Sequence, residues 1–348
     1  MHRIKSILIN DTINENHHGC SLVRHAIDLL CSQNNIEIIA SFPVGNSWKD
    51  NDNIKKLIST ADVVLVNGEG TIHHGRSSAE DLLDISEYCK EIGVKSVLIN
   101  SIYQDNPSRF IEKVNNFDLV YVRDSFSYQA LTSSGVNMVK MVPDLSFTAI
   151  NDIYNDVALN KNSQAICVTD SVYDDVSLSL YEMAKYNKFN YLPIHTPSRI
   201  KPYSNLKKLR RIKRVTHNLY NKLEFIFGKL TIKSSRAYYE VTELNNYLAL
   251  ISESTGVISG RFHACCMAIW IGKPFVCIKS NSNKTQALLK DVGLLPSREV
   301  NISDAFSFEI KEFSDEEKLA VANFKVEILK KHMNMFEEIS SIVVNPNE

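Results

Sequence analysis

The 348-residue chain has no C-x-x-C pair, no run of about 20 uninterrupted apolar residues and a formal charge of only -1. Each absence excludes something. Seven cysteines, an odd number, are scattered at Cys20, Cys31, Cys89, Cys167, Cys265, Cys266 and Cys277, most of them inside apolar runs. That pattern fits reduced, buried thiols in a cytosolic protein better than a disulfide framework or a zinc site. The N-terminus carries Arg3 and Lys5 and then enters an apolar strand, without the h-region or cleavage site of a secretory signal. No transmembrane helix is expected. A near-neutral charge argues against a general nucleic-acid binder. The chain also lacks G-x-G-x-x-G with a following acidic residue, the Walker G-x-x-x-x-G-K-[ST] and the G-x-S-x-G elbow. A nicotinamide cofactor, a P-loop and a hydrolase nucleophile are therefore not expected. Paired histidines occur at His17/His18 and His73/His74, but adjacent residues rarely ligate one ion and no H-E-x-x-H is present. No metal is expected.

Apolar residues make up 44% and charged residues 23%, the balance of a soluble globular protein, and the length suits two domains. Short apolar strands alternate with amphipathic helices. Strands are expected at Ser6–Asn10, Ile36–Phe42, Asp62–Asn67, Ser96–Asn100, Asp118–Val122 and Val139–Val142. Helices are expected from Ser21, as the cap, through Leu30, and at Ile54–Ser59, Ala79–Ile92, Pro107–Asn115 and Ser125–Leu131. Asn151–Ser163 is polar and reads as a linker. Alternation resumes with Ala165–Val168, Val176–Tyr186, Phe189–Ile194, Tyr239–Val241, Glu243–Ser252 and Thr285–Val292. The expected class is α/β, with parallel sheets covered on both faces. The division is an N-terminal domain at 1–150 and a C-terminal one at 164–300, with a long amphipathic helix at 314–342 packing back on the first.

The stretch Val257–Ile278 organises the second half. It reads as strand, tight turn, small-residue helix, Gly272-Lys273-Pro274 turn and second strand. Arg261 and His263 sit where strand gives way to helix, beside Ser259 and Gly260. A helix N-terminus favours an anion, Arg adds a planar cationic fork, and His can move a proton near neutral pH. The competing reading pairs Arg261 with a carboxylate and buries His263 in the core. Five polar clusters share the C-terminal ends of expected strands: His17/His18 with Gly19; Gly68-Glu69-Gly70-Thr71 with His73/His74; Arg123-Asp124; Asp144; and Arg261 with His263. In parallel sheets those ends form the rim of a ligand cleft.

From Met183 to Leu223 there is no acidic residue, while eleven Lys and Arg accumulate from Lys185 to Lys222 and apolar Leu223 and Phe225–Phe227 follow. A basic insertion near 197–235 of this kind suits an anionic membrane surface or a diphosphate-linked acceptor, with contact through 199–227, as well as it suits a solvated surface. No nucleic-acid module surrounds it.

Four motifs then carry a resemblance. Gly68-Glu69-Gly70-Thr71, Tyr121–Ser127, Val142–Phe147 and Ser259–Ala264 occur in the order of the polysaccharide pyruvyl transferase family, and the Gly272-Lys273-Pro274 turn and the helix Lys284–Gly293 also look like that family. The resemblance covers Ile7–Leu294. It implies two Rossmann-like domains in a GT-B-like arrangement with the active site in the interdomain cleft. It also implies phosphoenolpyruvate as co-substrate, with no bound cofactor, and a cell-surface glycan or its lipid-linked precursor as acceptor, as in capsule or O-antigen synthesis, at the cytoplasmic side or inner face of the membrane. On that resemblance Arg261, Arg123, Gly260 and Ser259 hold the donor anion. His263 is the acid or base, and one of Glu69, His17 and His18 takes the acceptor's hydroxyl proton. Gly68, Gly70, Thr71, His73 and Asp144 line the cleft. Arg123 can equally be a buried partner of Asp124 or Asp144 that fixes its loop.

Two departures from the family stand out. Asn16-His17-His18-Gly19-Cys20 replaces a loop that usually carries Gly-Asp, and Glu69 replaces the middle of three glycines. Two further readings therefore remain: a sugar-nucleotide glycosyltransferase on the same scaffold, and a non-catalytic component of envelope assembly.

Overall fold

The computed structural model describes residues 3–13, 15–45, 47–136, 138–154, 165–195, 243–280, 282–305 and 309–344. Strands β1 (Ile4–Asp11), β2 (Ile36–Pro43), β3 (Val63–Glu69), β4 (Lys95–Ser101), β5 (Leu119–Val122) and β6 (Val139–Met141) form one sheet in the order β2-β1-β3-β4-β5-β6. Strands β7 (Cys167–Ser171), β8 (Asn190–Tyr191), β9 (Val257–Gly260), β10 (Phe275–Ile278) and β11 (Glu299–Val300) form a second, in the order β11-β10-β9-β7-β8. Every pairing is parallel. The expected α/β class with parallel sheets is thus what the chain adopts.

The helices are α1 (His18–Gln33), α2 (Asp52–Ile58), α3 (Ser77–Ile92), α4 (Arg109–Asn115), α5 (Ser125–Ser133), α6 (Ser146–Tyr154), α7 (Asp174–Asn187), α8 (Leu244–Glu253), α9 (Phe262–Ile271), α10 (Lys284–Val292), α11 (Ile302–Ala305) and α12 (Asp315–Val344). Strand alternation sorts them into layers. Ile7, Ile9, Val64 and Val66 face a core with α2, α3 and α4, while Leu8, Val63 and Leu65 face a second core. That second core runs unbroken through α1, α6, α8, α9 and α12 to Cys167, Val257 and Phe275 of the other sheet. The opposite face of that sheet, with Val168, Ile258 and Val276, packs on α7 and α11. Helix α9 sits mid-core, and Phe262 through Trp270 are all buried, which explains its all-round apolar sequence.

Three local expectations are corrected. Helix α1 starts at His18, and its cap is the His17 ring rather than Ser21: the N–H groups of Gly19 and Cys20 donate to His17 Nδ1 at 3.1 and 3.3 Å. Residues 146–154, the last four of which fall in the expected linker, form α6. Polar Asn151 and Asp152 disguised its last turn, while Phe147, Ala149 and Ile150 bury its inner face. The short α11 and strand β11, which the sequence pattern did not signal, close the second sheet. The basic run beyond Lys188 and the expected strand Tyr239–Val241 lie outside the described residues, as does 155–163 of the linker. Among the described residues no helix is long and apolar enough to cross a membrane.

In both sheets the chain order reverses beside the first strand, between β1 and β3 and between β7 and β9. Ligands in open α/β sheets bind outside the carboxyl ends of the strands at such switch points.

Candidate active site

Three asparagines end successive strands and tie them together. Asn10 Nδ2 donates to the Asn67 carbonyl at 2.6 Å, and Asn100 Oδ1 accepts the Leu145 N–H at 3.1 Å. Asn10 and Asn100 adopt left-handed φ, as does Glu69 at 45°. This ladder turns the backbone sharply at the β3 and β4 ends and fixes the Asp144 loop against them. Gly68 permits the close approach: a Cβ there would lie 2.4 Å from Ser101 Cβ.

Above the ladder four side chains meet. Arg123 Nη1 donates to Asp144 Oδ2 at 2.8 Å and to Glu69 Oε2 at 3.3 Å, and its guanidinium lies 4.5 Å over the Phe262 ring. His263 Nε2 stands 3.7 Å from Asp144 Oδ1 and 3.9 Å from Glu69 Oε2, too far for hydrogen bonds and close enough to feel both charges. His263 Nε2, Glu69 Oε1 and Arg123 Nε are buried without hydrogen-bond partners among the described residues. Buried polar atoms are normally satisfied, so three orphans in one cluster point to a site that a ligand completes.

The two carboxylates are driven apart. Burial pushes Glu69 above the usual carboxylate range, and His263 and Arg123 offset that only in part. Asp144 is equally buried, but His263, Arg123 and the Ser146 contact outweigh burial and hold it well below that range. Glu69 is therefore the weaker acid of the two and Asp144 the stronger, the kind of split that separates a proton donor from a charge-stabilising group. Ligand atoms of Glu69, Asp144 and His263 all lie within 4.8 Å of one another and could hold a cation. Arg123 already supplies a countercharge to both carboxylates.

Arg261 does pair with a carboxylate, as the competing reading had it: its Nε and Nη2 donate to Asp170 Oδ2 at 2.9 and 2.5 Å. Ser259 shapes this turn, its hydroxyl accepting the Arg261 N–H at 3.0 Å and donating to the Arg261 carbonyl at 2.9 Å. A Cβ on Gly260 would stand 2.7 Å from the Asp170 carbonyl oxygen. No side chain caps α9. Arg123 likewise takes the pairing alternative with Asp144, whereas Asp124 caps α5 through the Ser127 N–H at 2.7 Å.

The remaining candidates divide. The His17 ring meets His263 edge-on at 5.6 Å; its pKa is lowered well below normal, first by burial and then by His263 and Arg261. With Nδ1 accepting the cap bonds, His17 sits in the cluster as a neutral imidazole. His18 packs on Tyr247 at 4.5 Å. Gly70 lies beside Arg123, where a Cβ would be 3.8 Å from Nη2, and the Thr71 N–H closes the turn onto the Gly68 carbonyl at 3.0 Å. His73 stacks with His74 near Asp105, and its pKa is lowered to about 4, chiefly by burial.

The model of the family described as polysaccharide pyruvyl transferase matches residues 21–282. The chain belongs to the polysaccharide pyruvyl transferase family. Among solved structures it resembles UDP-GlcNAc 2-epimerase of Methanocaldococcus jannaschii in complex with UDP-GlcNAc and UDP, at 12% identity and TM-score 0.52, covering 98% of this chain and 99% of that one. It also resembles UDP-N-acetylglucosamine 2-epimerase of Rickettsia bellii, at 11% identity and TM-score 0.50, with coverage of 98% and 99%. Identities this low speak to the fold alone, which is GT-B-like: two Rossmann-like domains with a cleft between them. Comparison with curated protein sequences gives no match.

Within this pyruvyl transferase-like cleft, sequence reasoning missed several residues. Asp170, the Arg261 partner, sits at the end of β7 in Cys167–Ser171, a strand read as ending at Val168. The asparagine ladder had a signal: Ile9-Asn10, Val66-Asn67 and Ile99-Asn100 each end an apolar run in Asn. The sequence marks Lys284 only as the start of a helix. It reaches the cleft, where burial, then Arg123 and Arg261, lower its pKa to about 8, and it has no ion pair among the described residues.

Proposed function

We propose that the protein transfers pyruvate from phosphoenolpyruvate to two hydroxyls of one sugar on a polysaccharide or its lipid-linked precursor, forming a cyclic ketal and releasing phosphate. The observation that carries this reading is the buried Glu69–Arg123–Asp144–His263 cluster, a carboxyl of raised pKa and one of lowered pKa beside an imidazole nitrogen without a hydrogen-bond partner among the described residues. Family membership supports the reaction class.

The chemistry needs one group to take a proton and another to give one. His263 Nε2 accepts the proton of the first hydroxyl while its oxygen bonds to C2 of phosphoenolpyruvate, and Asp144 stabilises the imidazolium as it forms. Glu69 delivers its proton to the C3 methylene, which becomes the methyl group. In the second half the other hydroxyl bonds to C2 and passes its proton to Glu69. Phosphate leaves from C2 with the proton held on His263. Both groups return to their starting states and atoms balance. This assignment makes Glu69 an acid first, whereas the family resemblance alone had offered it as a base. The donor's phosphate and carboxylate are held by Arg261, the uncapped start of α9 and Lys284, a cleft cation that pairs with no carboxylate among the described residues. The setting is capsule or O-antigen precursor synthesis on the cytoplasmic side of the membrane.

A ligand that binds only the native state raises the melting temperature once its concentration is well above Kd. Phosphoenolpyruvate should give such a shift, and Lys284→Met and Arg261→Ala should lose it. The wild-type shift should shrink as pH rises through about 8, where Lys284 loses its charge. A shift with UDP-, GDP- or CMP-sugars and none with phosphoenolpyruvate would overturn pyruvyl transfer in favour of glycosyl transfer.

A further inference from the structure

Beside the reacting cluster a crevice of about 320 Å3 opens between the two halves of the molecule. Its walls come from the loop after β4, with Tyr103 and Gln104, from the face of α5 that carries Phe126 and Gln129, and from Ser282 and Lys284 at the start of α10. The walls are braced from within. Tyr103 N–H donates to Ser127 Oγ at 2.8 Å, and Asn283 N–H donates to Gln104 Oε1 at 3.1 Å across the gap.

Two polar groups in this crevice are unexplained by the fold. Tyr103 and Ser282 are 6% and 8% exposed, and the hydroxyl of each has no hydrogen-bond partner among the described residues. Buried hydroxyls are normally satisfied, and two left open in one crevice point to a ligand that completes them. The other lining groups are side-chain amides, small hydroxyls, the Phe126 ring, apolar Ile102 and Ala130, and Asp105, whose carboxylate accepts from Gln104 Nε2 at 2.9 Å. Asp124 also lines the space, but its carboxylate is committed to capping α5. Lys284 also lines the crevice, and it is near enough to Arg123, Arg261 and Glu69 to feel their charges.

We propose that this crevice is the acceptor subsite, taking the terminal pyranose ring of the glycan against Phe126, with its hydroxyls bonded to Tyr103, Ser282 and the amides. Hydroxyl and amide groups both donate and accept, which matches sugar hydroxyls, and the ring offers an apolar face to the C–H side of a pyranose. Size points the same way. At about 320 Å3 the crevice has room for a hexose ring. A ring seated here presents a hydroxyl towards Lys284 and the reacting cluster. That last step rests on the pyruvyl-transfer reading; occupation by a sugar does not.

The test uses the full-length protein and simple methyl glycosides of galactose, glucose and mannose, with N-acetylglucosamine and N-acetylmannosamine, followed by saturation-transfer NMR and calorimetric titration. At least one glycoside should bind. Ala130→Trp, which fills the crevice from α5, should abolish that binding, and Tyr103→Phe, which deletes only the hydroxyl, should weaken it about five- to tenfold. Both variants should keep the phosphoenolpyruvate melting shift of the wild type. Binding that is unchanged in both variants, binding of none of the glycosides, or displacement of the bound glycoside by uridine alone would overturn the proposal. Glycoside binding that behaves as expected, without any phosphoenolpyruvate shift, would retain the crevice and sink the donor assignment instead.

Discussion

Glu69 is held in left-handed backbone at φ 45°, a conformation that strains a non-glycine residue by about 1–2 kcal/mol. It occupies the place of a glycine in the family pattern, so the backbone fits the glycine and the carboxylate is carried in spite of the strain. The strain persists because the Asn100–Asn67 hydrogen bond braces the strand ends beside it and Arg123 holds its carboxyl group, the usual circumstance at a functional site. Two substitutions separate backbone from carboxylate. Glu69→Gln keeps the strain, and Glu69→Gly relieves it while adding unfolded-chain entropy of about 0.5–1 kcal/mol. The glycine variant should therefore be the more stable of the two by about 0.5–1 kcal/mol in denaturant titrations, and both should lose turnover. A glutamine variant that matched or exceeded the glycine one would mean that the φ angle carries no strain worth relieving.

At the scale of elements, the site is made where the N-termini of α1 and α9 converge from opposite halves. Gly19, in the first turn of α1, lies so close to His263 that a Cβ would stand 2.2 Å from ring atoms Cγ and Nδ1. Helix propensity alone says that Gly19→Ala should stabilise by up to about 1 kcal/mol. The contact says the reverse: overpacking a buried ring costs about 1–3 kcal/mol and turns the imidazole away from Asp144. The contact should win, so that Gly19→Ala lowers the melting temperature and cuts kcat by more than tenfold. A more stable, active variant would show that the two helices move apart without cost. The sequence announced each of these elements separately, because apolar periodicity and Gly or Asn punctuation are local signals. It could not announce their meeting. The Gly19–His263 and Arg261–Asp170 contacts join residues far apart in the chain, and a single sequence carries no trace of such pairings. Helix α6 escaped for a different reason: its exposed end is polar, and its buried face is legible only once α1 and α9 are known to cover it.

At the scale of the molecule, α12 runs across both halves and holds the cleft that they form. Near its start Glu317 takes a two-pronged ion pair from Arg298 of the second half, at 2.7 Å for each prong. Near its end Glu338 accepts from Tyr121 Oη at 2.7 Å and from Lys140, both in the first. Between them, wholly buried His332 fixes the loop that bears Asp144: its Nε2 donates to the Pro143 carbonyl at 2.8 Å, and its Nδ1 accepts the Thr148 hydroxyl at 2.6 Å. Both ring nitrogens are used by the neutral tautomer, and a second proton would force the Thr148 hydroxyl to turn round and accept. Burial accordingly lowers the pKa of His332 from 6.5 to about 4, with the Pro143 carbonyl opposing. A group whose pKa is lower folded than unfolded takes up its proton on unfolding. Between pH 6.5 and about 4 the unfolded chain therefore binds more protons, and stability falls as pH falls, by about 1.4 kcal/mol per unit. His17 contributes a slope of the same sign, so the measurement must be a difference. His332→Gln can still donate to Pro143 and accept from Thr148 but does not titrate. Urea titrations from pH 7 to pH 4 should show wild type losing about 3 kcal/mol more than the variant over that span. Parallel stability curves would mean that His332 is protonated without disturbing Thr148, and that the clamp on the Asp144 loop is made by the rest of α12.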